Sequence, residues 1–380
     1  MSYTPSSAFA PATAIADNPI YAVHNLRPSS LKYTAAALAA CRLNLRDFRF
    51  VIAGDSIPAG LQLGTSAQQT AGNFGRRAAQ YLSLKTGLNY RRSLVTIGSG
   101  TTNTLDSQWT LGTGWSLFAG AIGSNNRAYT SAAGNAGTVD FVPTDETGTA
   151  IQTDSFIIHA YAGGTAGNFQ WSIDGGTFTT QTVTGGTGWF PFTVSAGALG
   201  LHTLHVMSTA TGNAAYIWGA EAVNSTSRGI RFMTTGTPSS VTPSSITGDD
   251  LTGWKGVAPD LVMFQWNTNE YGTQGAISTF QSNMAAIGNF GASLTKPADT
   301  LWLSSPPQGT LNAIPQQSYY DAMDATSDSV GFPVLHVDRS LVSYAVSNPA
   351  PLSLYADLVH PSAAGHNRWG SQIASILALY

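Results

Sequence analysis

The stretch Phe48-Arg49-Phe50-Val51-Ile52-Ala53-Gly54-Asp55-Ser56-Ile57 decides the fold class. Phe48–Ala53 is a short apolar run that stops at a tight turn, Gly54-Asp55-Ser56, which is the pattern of a strand buried on both faces. Such a strand belongs to a parallel sheet covered by helices on either side, and the flanking sequence supplies them. Ser30–Leu45 (SLKYTAAALAACRLNL) is rich in Ala and Leu, with Ser30 as an N-cap candidate, and Asn73–Lys85 (NFGRRAAQYLSLK) ends at Gly87; both read as helices. Beyond Arg228, strand candidates Gly229–Phe232, Leu261–Gln265, Leu301–Ser304 and Val334–Val337 alternate with helices over Ile277–Phe290 and Ala363–Tyr380. That alternation predicts an α/β fold with a parallel sheet.

Between about Trp109 and Asn224 the texture changes. Ser155–Ala160, Phe169–Ile173, Trp189–Val194, His202–Met207 and Ala215–Trp218 are strand-like and separated by Gly, Thr and Asn turns, and Asp174-Gly175 is a hairpin signal. Short strands at this spacing predict an all-β sandwich or jelly roll. The expected organisation is an N-terminal arm over 1–30, an α/β domain over 31–108 and 229–380, and an inserted β-domain over 109–228.

Composition narrows the function. The chain has 380 residues, 43% of them hydrophobic, enough for two packed cores. Only 10% are charged, the net charge is −3 and no Lys/Arg run occurs, so no nucleic-acid footprint is read. The single cysteine, Cys41, excludes an internal disulfide and a cysteine-based metal site. No apolar run reaches the ~18–20 residues of a membrane span. Met1–Pro19 lacks a basic stretch followed by an apolar one and does not read as a secretory signal, so an extracellular or virion-associated protein would have to leave the cell by another route.

Three fragments carry chemistry. Ser56 follows the carboxyl end of the first strand, where open α/β sheets place their sites and where backbone N–H groups can face an oxyanion. In Asp357-Leu358-Val359-His360-Pro361 the three-residue spacing lets the carboxylate bond Nδ1 of the imidazole while Nε2 faces outward, the tautomer a general base requires. Asn267-Thr268-Asn269-Glu270 follows the strand Leu261–Gln265, and a side-chain amide there can donate to an oxyanion. Singly, each fragment also fits a helix cap, an ion pair or a turn. The remaining histidines form no metal-ligand pattern, and His366 reads as a helix-surface residue.

In this order and context the three fragments resemble the SGNH/GDSL hydrolases: Gly54–Ile57 as block I, Asn267–Glu270 as block III and Asp357–Pro361 as block V. The resemblance covers roughly residues 46–100 and 229–380. It implies a flavodoxin-like three-layer sandwich interrupted by the jelly-roll insertion. It also implies Ser56 as nucleophile, His360 as base then acid and Asp357 as orienting carboxylate, with the Ser56 N–H and Asn269 as oxyanion donors. Block III departs from the family's Gly-x-Asn-Asp, with Asn267 for Gly and Glu270 for Asp, and Asn267 stays a competing donor. The block II backbone donor is Gly236, with Ser239 as a register alternative and Gly100 as runner-up.

The expected function is therefore a serine esterase needing no metal or organic cofactor, acting on O-acetyl groups of a polysaccharide or on another small ester. The insert resembles jelly-roll, carbohydrate-binding-like modules seen with SGNH esterases, and its aromatics (Trp171, Phe178, Trp189, Phe190, Phe192, Tyr216, Trp218) either stack on sugars or fill the sandwich core. The low-charge, Gly/Thr/Asn-rich chain resembles phage tail proteins, for which a homo-trimer would be expected; neither nucleic acid nor membrane is a partner. The alternative is a glycan-binding or structural tail protein with a vestigial esterase site.

Overall fold

The computed structural model describes residues 23–27, 29–63, 72–92, 108–118, 128–145, 148–163, 167–184, 186–209, 213–236, 239–246, 249–341, 348 and 352–380. Seven strands form the sheet of the α/β domain: β1 (Val23–His24), β2 (Phe48–Gly54), β3 (Asn89–Arg92) and, after ten strands of the insert, β14 (Gly229–Gly236), β15 (Leu261–Gln265), β16 (Asp299–Leu303) and β17 (Val334–Leu335). Their order is β1-β17-β16-β15-β2-β14-β3, parallel except for the edge pair β1–β17. Apart from the edge strands β1 and β3, this is the 2-1-3-4-5 order of a doubly wound sheet, and its switch point lies between β2 and β15.

The helices are α1 (Lys32–Arg42), α2 (Phe74–Thr86), α3 (Asp249–Val257), α4 (Thr268–Thr273), α5 (Ile277–Ile287), α6 (Gln316–Val330), α7 (Asp338–Leu341) and α8 (Ala363–Leu377). They cover both faces, and β2 explains why. Phe48, Phe50 and Ile52 pack with Leu38 of α1, Phe74 of α2 and Trp369 of α8. Val51 and Ala53 point the other way, into a core with Trp254 of α3, Met284 of α5 and Tyr319 of α6. Side chains alternate across a strand, so only a continuous apolar run fills both layers. Each large side chain buried this way is worth about 1.5–3 kcal/mol.

Several boundaries differ from the sequence reading. Ser30 does not cap α1: its Oγ accepts the Arg27 N–H at 2.9 Å, while Asp299 Oδ2, from β16, takes the Thr34 N–H at 2.7 Å. The orphan donor of the first turn is satisfied across the fold rather than locally. Part of the stretch read as an arm, Val23–His24, pairs with β17. The helix read over Ile277–Phe290 ends at Ile287, followed by a 3₁₀ turn at Phe290–Ser293. The last strand stops at Leu335.

The insert consists of β4 (Trp109–Leu111), β5 (Trp115–Phe118), β6 (Ala128–Ser131), β7 (Val139–Phe141), β8 (Gln152–Ala162), β9 (Phe169–Ile173), β10 (Thr179–Gln181), β11 (Gly188–Leu201), β12 (Leu204–Ser208) and β13 (Ala215–Val223). Two antiparallel sheets, β10-β9-β12-β7-β4 and β11-β8-β13-β6-β5, enclose a core that joins Phe141 and Val206 of one to Phe156 and Ile217 of the other. Asp174 and Gly175 both have positive φ, 54° and 73°, and Gly176 N–H donates to Ile173 C=O, the two-residue turn their sequence indicates.

Part of the outer face of the second sheet is buried against the α/β domain. Trp189 and Trp218 are closed off between β11, β13 and α3, and the Trp189 N–H donates to Thr252 Oγ1 at 2.9 Å. Trp171 and Phe192 pack on the insert's own core, whereas Phe178 and Phe190 are partly exposed. Beneath the tryptophans lies a buried ionic cluster. Glu221 of β13 meets Arg49 of β2 at 3.3 Å, Arg231 of β14 at 3.4 Å and His159 of β8 at 3.0 Å, and Arg231 also reaches Asp47 at 2.7 Å. Burial would raise the Glu221 carboxyl, but Arg49, the His159 hydrogen bond and Arg231 outweigh it and hold the group well below the usual range.

Candidate active site

Strand β2 ends where its two neighbours end, with Gly54 in register with Gly236 of β14 and Gln265 of β15. A Cβ on Gly54 would stand 1.9 Å from the Gln265 carbonyl oxygen, and one on Gly236 2.4 Å from Ala59 N. Both positions therefore require glycine for close approach. The chain then turns: Asp55 N–H donates to Gln265 C=O at 3.2 Å, and Leu61 N–H to Ser56 C=O at 3.0 Å. Ser56 is thereby held at the carboxyl end of the sheet, beside the switch point.

The loop before α8 supplies the partner. Tyr355 and Pro361 form a β-bridge, Ala356 N–H donates to His360 C=O, and Gly309 N–H ties Leu358 C=O at 2.7 Å. Ser362 caps α8 by accepting the Gly365 N–H. In this loop Asp357 Oδ1 accepts the backbone N–H groups of Val359 and His360 at 2.7 and 2.6 Å, and Oδ2 lies 2.9 Å from His360 Nδ1. His360 Nε2 in turn lies 2.9 Å from Ser56 Oγ. Nδ1 facing a carboxylate carries the proton, which leaves Nε2 to accept the serine hydroxyl. Partial burial would raise the Asp357 carboxyl, but the His360 and Val359 hydrogen bonds and the His360 ring overcome it and hold Asp357 below the usual carboxylate range.

Block III lies on the other side of the turn. Asn267 has φ 90°, a left-handed conformation that asparagine tolerates. Its amide is engaged away from Ser56: Oδ1 accepts the Ser305 N–H at 3.1 Å and Nδ2 contacts Met323 Sδ. Glu270 anchors the turn, with Oε2 accepting the Asn267 N–H at 2.9 Å and Oε1 taking Thr242 N–H and Oγ1 at 2.5 and 2.6 Å. Asn269 Nδ2 donates to Ser240 C=O at 2.7 Å. Ser240 Oγ donates to Gly54 C=O at 3.1 Å and accepts the Trp266 indole N–H, so this residue ties the end of β2 to block III.

The block II candidates are placed differently. Gly236 closes β14 against the turn after Ser56, and its N–H faces Thr234 Oγ1 at 3.4 Å. Ser239 stands next in the loop with φ 65°, and Gly100 lies outside the described residues.

Sequence reasoning missed Ser240 and Gln265. Gln265, the one polar residue ending the apolar run Leu261–Gln265, is the signal that was there to find. His366 is not a surface residue, as the sequence reading had it: it is fully buried, its Nδ1 accepts the Phe74 N–H at 3.1 Å, and it stacks on Phe74. Burial, with His360 and Arg77 adding to it, pushes it down to about 3, so it is a neutral cap for α2. That bond locks α8, which begins just after His360, onto α2. Asp55 is also fully buried; burial pushes its carboxyl up to about 7 against the opposing Ile57 N–H, with Glu270 adding to the rise. Among the described residues no group of three or more His, Cys, Asp or Glu side chains could hold a metal ion.

No protein-family model and no curated protein matches the sequence. Among solved structures, a peptidoglycan O-acetylesterase superposes with TM-score 0.67 at 14% identity, covering 94% of this chain and 98% of that one. The chain has the fold of that protein. A family two carbohydrate esterase with a carbohydrate-binding domain from Corynascus thermopiles (Myceliophthora fergusii) is 13% identical with TM-score 0.32, covering 66% of this chain and 98% of that one. One from Clostridium thermocellum is 10% identical with TM-score 0.32, covering 70% and 97%. The likeness to the peptidoglycan O-acetylesterase spans both the α/β domain and the insert.

Proposed function

We propose that the chain is a serine esterase that removes O-acetyl groups from a polysaccharide. The observation that carries this reading is the unbroken chain from Ser56 Oγ through the His360 ring to Asp357, with 2.9 Å at each link. Ser56 Oγ attacks the ester carbonyl, His360 Nε2 takes its proton, and the collapsing tetrahedral intermediate expels the alcohol, which receives that proton. Water, deprotonated by the same imidazole, then attacks the acyl-enzyme and releases acetate. Asp357 stays ionised throughout and holds the ring in the required tautomer.

The oxyanion is assigned to the Ser56 N–H, Asn269 and a backbone donor from the loop after β14. An amide has two N–H donors, and the bond from Asn269 to Ser240 C=O orients the group while its second N–H remains available to the oxyanion. Gly236 is kept as the backbone donor; the positive φ of Ser239 supports the register alternative.

The polysaccharide substrate is supported by the fold shared with a peptidoglycan O-acetylesterase. Reading the insert as a jelly roll is supported by its strand order: the two five-stranded sheets contain the runs β6-β13-β8-β11 and β7-β12-β9-β10, and from β6 to β13 the chain changes sheet at every step except the β9–β10 hairpin. A virion-associated, tail-like setting and a trimer rest on the low-charge, Gly-, Thr- and Asn-rich composition alone.

Hydrolysis of p-nitrophenyl acetate by the wild type, abolished by Ser56→Ala with the fold intact, is the expected result. Glycan binding without turnover would support the non-catalytic reading instead.

A further inference from the structure

Behind Ser56 lies a polar cluster that the triad does not use. Asp55 is fully buried: Oδ1 accepts the Ile57 N–H at 2.9 Å, and Oδ2 faces Gln265 Nε2 at 3.4 Å. The Thr268 hydroxyl hydrogen-bonds the same carboxyl and accepts from Gln265 Nε2 at 3.2 Å. Thr268 opens α4 and is followed directly by Asn269. The cluster therefore joins the turn that presents Ser56 to the helix that presents Asn269.

The groups that hydrogen-bond Asp55 in this arrangement, the Ile57 N–H and Gln265 Nε2, are donors, which suits a carboxylate. A protonated Asp55 needs an acceptor, and Gln265 Oε1 is buried without a partner among the described residues. A half-turn of the Gln265 amide would bring that oxygen to Asp55 and move its N–H groups away. The cluster thus has two settings, one for each state of a single buried proton.

The geometry points to Asp55 as a positioning residue: its ionised form, bonded by Gln265 and Thr268, seats α4 so that Asn269 meets the oxyanion formed at Ser56. The inference rests on the esterase reading above. The groups facing Asp55 are Glu270 and Thr268 from α4, Gln265 from β15 and the Ile57 N–H of its own turn. Beside it β14 ends in Thr235-Gly236, which does not ionise, and His360 meets the neighbouring Ser56. Burial, with the charge of Glu270, brings the proton of Asp55 into the neutral range.

Asp55→Asn keeps the shape but fixes the uncharged setting. Expected is a loss in kcat on p-nitrophenyl acetate of roughly 10- to 100-fold at about pH 8, with KM little changed. The wild-type to variant ratio of kcat should shrink as pH falls through about 7, because the wild type then adopts the variant's setting. A ratio that stays flat with pH, or a loss confined to KM, would overturn the inference. Should Asp55→Asn fail to fold, Thr268→Ser and Thr268→Val replace it. Serine keeps the donor hydroxyl and should keep the pH step, whereas valine should move the step upward; identical profiles would overturn the inference. A wild type that neither cleaves acetyl esters nor is labelled at Ser56 by a fluorophosphonate defeats the esterase reading itself. Turnover with a flat ratio defeats this inference alone.

Discussion

Asp357 holds His360 twice, taking its backbone N–H at 2.6 Å on one carboxylate oxygen and facing its ring Nδ1 at 2.9 Å with the other. The backbone bond fixes the loop and the ring bond fixes the tautomer. Asp357→Asn can keep the first through Oδ1, but its amide presents N–H to Nδ1 and drives the ring proton to Nε2, where it opposes Ser56. The expected loss in kcat is on the order of 10³–10⁴-fold with an unchanged circular dichroism spectrum. Activity within tenfold of wild type would mean that the carboxylate does not set the tautomer.

In the proposed mechanism two amides are candidates for the oxyanion, and their partners separate them. Asn269→Ala should lower kcat by roughly 10²–10³-fold with KM nearly constant. Asn267→Gly keeps the left-handed backbone and forfeits the bond to the Ser305 N–H, so it should cost stability while leaving kcat within roughly a few-fold. Steady-state kinetics on both variants decides the assignment, and the reverse pattern would transfer the role to Asn267.

Asp55 also predicts how stability varies with pH. Below the usual carboxylate range the group is neutral in both the folded and the unfolded chain. From there up to about 7 the folded protein keeps a proton that the unfolded chain has lost, so stability falls as pH rises, and above that range the deficit is constant. Asp55→Asn removes the deficit. Its Tm relative to wild type should be higher at about pH 8 than at about pH 4, measured by calorimetry; an equal offset at both would show that Asp55 titrates normally.

The buried ionic cluster fastens the insert to the sheet. Glu221→Ala would leave Arg49 and Arg231 facing each other in register without their shared carboxylate. A loss of about 3–5 kcal/mol in denaturant unfolding is expected. A change below about 1 kcal/mol would mean that the remaining bonds, such as Arg231 to Asp47, already compensate.

The parts legible in the sequence were those written as local patterns. The two-sided strand at Phe48–Ala53, the hairpin at Asp174-Gly175 and the three-residue spacing of Asp357 and His360 each carry their own periodicity or geometry. Contacts set by tertiary packing were not legible. Asp299 capping α1, His366 capping α2 and Ser240 bridging β2 to block III join residues far apart in the chain, and no local signal marks them. Trp189 and Trp218 could be read as sandwich core or sugar platform, but their burial against α3 depends on how two domains meet.

The central claim is that Ser56 is acylated and released by His360 on an acetylated glycan. Acetate release from a panel of O-acetylated bacterial polysaccharides, followed with wild type and Ser56→Ala, tests it most directly. Release from at least one polysaccharide by the wild type, and none by the variant, is the predicted result. Equal release by both, or none by the wild type from any of them, would contradict it.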